Sequence, residues 1–199
     1  MSARGKWQNK IASELNITFS TMKPQEKKAI FKTLEEKFSG NLSKINQLTI
    51  SQKNYIGSDI WRFFKNDVKD YAVTEDNNYR NILVIITDGY VYHKDSYSRN
   101  NNRTTYITPD FIGKENLRFG KWKNKFNNGD YGFITTRKDL GNLEVLVLEV
   151  NPAGNSLNDE DIIKEYLSKW FKEMGIKKYY IHNSNLPINT KSRIEKFLK

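Results

Sequence analysis

The stretch NILVIITDGYVYH, residues 81–93, decides how the rest of the chain is read. Five apolar residues, Ile82 to Ile86, run straight into Thr87-Asp88-Gly89, so an acidic side chain is delivered to the end of an apolar strand. Apolar positions that are consecutive rather than alternate predict a strand covered on both faces, in the middle of a sheet. Asp-Gly is also ordinary turn chemistry, because aspartate bonds its own backbone and glycine tolerates positive φ. Whether Asp88 works or merely turns the chain depends on what the flanking sequence brings to the same edge.

Downstream, Leu143 to Val150 reads as a second central strand, ended by Asn151-Pro152. Asn158 then caps a helix that opens on Asp159-Glu160-Asp161. Its apolar face carries Ile162, Ile163, Tyr166, Leu167, Trp170, Phe171 and Met174, and Gly175 stops it. Lys178 to His182 reads as a last short strand, and Asn189 caps a closing helix bearing Ile194, Phe197 and Leu198.

Upstream, Gly57-Ser58-Asp59 precedes Ile60, Phe63, Phe64, Val68 and Tyr71, whose spacing gives one apolar helix face and sets Ser58 or Asp59 at its N-cap. Earlier still, Pro24 and Glu26 suit the first turn of a helix with the stripe Ile30, Leu34, Phe38, Leu42 and Ile45, kinked or divided at Gly40-Asn41. Leu15 to Phe19 alternates like a short strand. Tyr90 to Arg118 has little periodicity and reads as a long polar excursion, which Trp122, Phe126 and Tyr131 fold back in part.

This order of elements predicts an α/β fold, an open and mostly parallel sheet flanked by helices in a Rossmann-like three-layer sandwich, with residues 1–199 as one domain. Ligands of such sheets collect at the carboxyl ends of the strands. That puts Asp88, Glu149 and Asn151 on the functional edge.

The composition narrows the chemistry. With no cysteine, and only His93 and His182 as histidines, thiolate and histidine-rich metal sites are excluded, so any metal must be held mainly by oxygen. No uninterrupted apolar stretch approaches the roughly 20 residues needed to span a bilayer, and MSARGKWQNK lacks the apolar core of a signal peptide; a cytoplasmic protein with no membrane partner is expected. The net charge of +10 suits a nucleic-acid partner. Lysine greatly outnumbers arginine, however, and the cations are scattered, which is how an AT-rich genome writes any surface. Tyr90, Tyr92, Tyr97, Tyr106 and Trp122, interleaved with Arg99, Arg103, Lys121 and Lys123, offer stacking surfaces for single-stranded bases, though such residues more often pack a loop onto its domain. No phosphate-binding glycine loop and no serine elbow is present, and His93 lacks a nucleophile to serve.

Two elements together are more specific than either alone. Ile56-Gly57-Ser58-Asp59-Ile60 opens a helix, and Ile85-Ile86-Thr87-Asp88-Gly89 ends a later strand. In this pairing the sequence resembles the von Willebrand factor A-type (VWA) domain, in which a G-T-D segment, a T-D-G strand end and an earlier D-x-S-x-S strand form a metal-ion-dependent adhesion site. The resemblance implies Asp88, Ser58 and Asp59 as ligands of Mg²⁺ or Mn²⁺, hard cations that prefer oxygen. It also implies a partner protein bound through an acidic side chain; the setting expected for the module is a bacterial cytoplasmic assembly. Tyr90, Tyr92, His93, Arg99 and Arg103, in the loop after the T-D-G turn, would help choose that partner. Ser58 replaces the family's threonine, and no D-x-S-x-S precedes it. Either the chain begins inside a longer protein, truncating the domain at its amino terminus, or the metal site is degenerate. The function expected is a non-enzymatic protein-binding module; the alternatives are a metal-dependent phosphoesterase or nuclease using Asp88, Asp59 and Glu149, and a basic nucleic-acid-binding protein.

Overall fold

The computed structural model describes residues 13–51, 57–153 and 158–199. The amino-terminal stretch read above for a signal sequence lies outside them, as does Ile56. Two compact units are present, Met1–Tyr55 and Ile56–Lys199.

In the first unit, α1 (Pro24–Ile50) begins where proline has no N–H to lose and Glu26 Oε2 accepts the Lys23 N–H at 2.8 Å. The helix passes through Gly40-Asn41 unbroken, since one glycine costs a helix only about 1 kcal/mol. Phe19 stacks on Phe31 at 5.1 Å. Of residues 15–19, read as a strand, Leu15 is helical and residues 16–19 have no ladder partner among the described residues.

The second unit is mixed α/β around a three-stranded parallel sheet in the order β2 (Asn81–Ile86), β7 (Leu143–Val150), β8 (Lys178–Asn183). Alternation along β7 sends Val145 and Val147 to one face and Leu146 and Leu148 to the other. Helix α5 (Asp159–Glu173) covers the first with Ile162, Ile163, Tyr166, Leu167, Trp170 and Phe171, all buried. Helix α6 (Pro187–Leu198) covers the second through Phe197 and Ile194. Between β2 and β7 the chain builds its own small sheet from β4 (Arg99–Asn100), β5 (Arg103–Thr104) and β6 (Gly132–Phe133), and the short helices α3 (Pro109–Lys114) and α4 (Trp122–Asn128). This excursion is far from polar inside, burying Ile107, Phe111, Ile112, Leu117, Phe126 and Phe133.

Ahead of the sheet, α2 runs from Ile60–Arg62 through a π-helical segment, Phe63–Asp67, to Val68–Ala72. It buries Trp61, Phe64 and Val68, and Trp61 Nε1 donates to the Ile134 carbonyl at 2.8 Å. Its entry strand β1 (Gly57–Ser58) pairs antiparallel with β3 (Tyr92–His93).

One expectation is corrected. β2 is not in the middle of the sheet: among the described residues its ladder partner is β7 alone, and Val84 and Ile86 are 40% and 74% exposed. α6 reaches Ile82 on that face, and Val84 and Ile86 remain open. Consecutive apolar residues thus mark a half-covered edge strand here.

Candidate binding edge at the carboxyl ends of the parallel strands

Thr87 extends the ladder past β2, donating its N–H to the Leu148 carbonyl at 3.1 Å, and the Asp88 carbonyl accepts from Asn151 N–H at 3.0 Å. The chain then turns. Asp88 Oδ1 accepts the Tyr90 N–H at 3.0 Å, and Thr87 Oγ1 accepts the Gly89 N–H at 3.1 Å. Gly89 has φ +101°, and a Cβ there would stand 2.7 Å from Ile163 Cγ2, so α5 packs against bare backbone at this point. The Asp88 side chain is exposed and has no ion-pair partner among the described residues.

Asp59 is placed quite differently. It caps α2, its Oδ1 accepting the Arg62 N–H at 3.0 Å, while Oδ2 takes the Ser96 hydroxyl and lies 3.3 Å from Arg62 Nε. His93 Nδ1 approaches the same oxygen at 3.4 Å but also accepts the Asp95 N–H at 3.2 Å. The two contacts exclude one another as hydrogen bonds, because an Nδ1 that accepts has no proton to give. The backbone amide has its hydrogen fixed in that direction, so the acceptor role is the better reading. Ser96 is bonded to the carboxylate rather than to the imidazole, so no nucleophile and base are paired. Ser58 is exposed, with its backbone in register with Tyr92.

The other predicted partner-binding residues divide between surface and interior. Tyr92 is 40% exposed and meets Tyr97 edge-on, while Tyr97 stacks on the buried Tyr106. Arg99 pairs with Glu115 at 2.6 Å and lies over the Phe111 ring. Arg103 bridges Asp130 and Glu173 at 2.6 and 2.7 Å, tying β5 to α5. Tyr106 and Trp122, read above as stacking surfaces, are buried.

Sequence reading missed the cluster beneath the turn. Arg118 Nε and Nη2 each donate to the buried Asp159 carboxylate at 2.8 Å, and the Tyr90 hydroxyl adds a third bond at 3.3 Å. Burial, then the Asp159 charge, pushes the Tyr90 hydroxyl up to about 12, so it stays a donor. Asp159 could have been suspected as a first-turn acid; nothing local marks Arg118 as its partner.

Among the described residues no group of three or more His, Asp or Glu side chains gathers closely enough to hold a metal ion. Asp59 is committed to its cap, Ser96 and Arg62, and Glu149 accepts from Thr190 and then Ser184 at 2.6 and 2.8 Å, which lowers its pKa. Of the acids proposed as ligands, Asp88 alone presents an uncommitted oxygen. Compared with models of protein families, with curated proteins and with solved structures, the chain finds no match in any of the three.

Proposed function

We propose that this chain is a non-enzymatic, VWA-type protein-binding module whose adhesion site is degenerate. The observation that carries the reading is the contrast between two acids. Asp88 is exposed on a T-D-G turn held by its own side-chain bonds to the Gly89 and Tyr90 N–H groups, whereas Asp59 is spent on the fold itself. Among the described residues β2 has β7 as its only ladder partner, which is consistent with a frame that lacks the family's first strand. A partner protein would meet the edge at Asp88 and the exposed Tyr92 and Tyr97; with no ion to bridge two carboxylates, Asp88 would face a donor or cationic group of the partner, while acidic groups elsewhere on it would be drawn by the chain's net charge of +10.

Thermal unfolding of the parent and of Asp88→Ala, in Mg²⁺, Mn²⁺ and chelator, tests the degenerate site. The expected result is that, for each protein taken by itself, the curves in cation and in chelator superimpose. A cation at about 100 times its Kd would stabilise a site by roughly 2.7 kcal/mol, and such a shift in the parent, lost in Asp88→Ala, would overturn the reading in favour of a working metal site. Hydrolysis of an activated phosphodiester in Mn²⁺ that Asp88→Ala abolishes would instead establish the phosphoesterase.

A further inference from the structure

A second surface, independent of that edge, lies between β8 and α6. Lys178, Tyr180 and His182 alternate to one face of β8, while Tyr179 and Ile181 go to the main core. With Arg193, Lys196 and Phe197 of α6 they line a cavity of about 520 Å³, within the range of small-molecule sites. The lining is aromatic and cationic, without a carboxylate. Tyr180 is 53% exposed, packs edge-on against Phe197 at 5.9 Å, and runs nearly parallel to the His182 ring, 5° between planes.

The charges around this floor are incompletely matched. Lys178 is held by Glu144 at 2.8 Å, and Arg80 shares that carboxylate. Arg193 gives one hydrogen bond to the Asn183 carbonyl at 2.6 Å, and neither it nor Lys196 has a carboxylate partner among the described residues. Burial and then the positive charges of Arg193 and Lys164 lower the pKa of His182, a sign that the field at the floor is positive. Residues 193 and 196 are one turn apart on α6 and so share a face. Two unmatched cations beside a half-open aromatic ring suit a ligand with a planar, polarisable part and an anionic part. A bare anion would leave the Tyr180 face unused, whereas a phosphate-bearing base joins a stacking plane and an anion in one small ligand.

We propose that the β8–α6 cleft binds a phosphate-bearing nucleobase, the base lying on Tyr180 and the phosphate between Arg193 and Lys196. Free nucleotides and single-stranded nucleic acid both carry this chemistry. The whole chain would be titrated at low salt with AMP, CMP, inorganic phosphate and a short single-stranded oligonucleotide. The comparison set is Tyr180→Leu, the double variant Arg193→Gln/Lys196→Gln, and Lys123→Gln as a cation elsewhere, each checked for an unchanged melting temperature. Saturable nucleotide or oligonucleotide binding should weaken roughly tenfold or more in the first two and persist in the third. An oligonucleotide that binds more tightly than a monophosphate, with a steeper salt dependence, identifies nucleic acid as the source; equal affinities identify free nucleotide. Absence of saturable binding to the parent overturns the proposal. So do inorganic phosphate binding as well as AMP with Tyr180→Leu silent, and an equal loss in Lys123→Gln.

Discussion

Arg118 reaches from the long connection between β2 and β7 to give the buried Asp159 carboxylate two hydrogen bonds of 2.8 Å. The pair joins the excursion to the first turn of α5, and Arg118 Nη2 also donates to the Pro109 carbonyl at 3.0 Å. Removing one partner strands a charge. Arg118→Met should therefore cost about 3–5 kcal/mol in denaturant unfolding, and Arg118→Met/Asp159→Leu should regain much of that loss. A single-variant cost below about 1 kcal/mol would mean that the pair is not buried as described.

At Gly89 both the positive φ and the approach of Ile163 oppose a side chain. Gly89→Ala should destabilise by about 1–3 kcal/mol, whereas Asp88→Ala next to it, exposed, should stay within about 1 kcal/mol of the parent. Equal effects would mean that the turn is held by the Asp88 side chain and not by the close packing.

Acid should weaken the fold through specific carboxylates. Arg80, then Lys178, hold Glu144 down to about 2, and Arg103 with Lys169 holds the more exposed Asp130 down to about 2. Both folded values lie below the unfolded ones, so this stability is present above about pH 4 and is lost as pH falls toward 2. Glu144→Gln should flatten that part of the stability-versus-pH curve by roughly 1–2 kcal/mol, after allowance for solvent screening. An unchanged acid limb would remove Glu144 as a cause.

The outer edge of β2 carries Asn-Ile-Leu-Val-Ile-Ile with no charge and no proline. Uncharged apolar edges template pairing between chains. Because Ile86 is 74% exposed, Ile86→Lys should reduce concentration-dependent light scattering while moving the unfolding midpoint by less than about 0.5 kcal/mol. Unaltered scattering would acquit this edge.

Legibility followed whether a segment's surroundings are local. Helix α5 is readable because its acidic first turn, stripe and Gly175 stop are local, and Gly175 indeed has φ +86°; Asn158 sits at the N-cap position, but its side chain donates to the Arg118 carbonyl at 2.7 Å instead of capping. β7 is readable from an apolar run ended by Asn151-Pro152, and β8 as the short strand that follows the Gly175 stop. The closing helix was expected from Asn189 but starts at Pro187, with Leu186 at its N-cap, because proline suits a first turn without any capping side chain. β2's place at an edge was not readable, since the face of a strand is set by what packs on it. The Asp59 N-cap is legible from Gly57-Ser58-Asp59, but its bond to the Ser96 hydroxyl is not, for it joins a residue 37 positions away. The β8–α6 cleft was also hidden: Lys178, Tyr180 and His182 are a plain alternation until a helix from later in the chain brings Arg193 and Lys196 over them.

The insertion of the excursion between neighbouring parallel strands has a consequence in time. Arg80 and Glu144, at the start of the β2–β7 pairing, are 64 residues apart, whereas β7, α5, β8 and α6 succeed one another directly along the chain. Closing the longer loop must precede any contact that rewards it. The β7–α5–β8 unit should therefore assemble first and β2 dock late, so that Val147→Ala slows refolding while Ile85→Val mainly hastens unfolding. Until that docking, the Thr87-Asp88-Gly89 turn has neither Leu148 nor Asn151 to bond, and the binding edge is among the last parts of the molecule to exist.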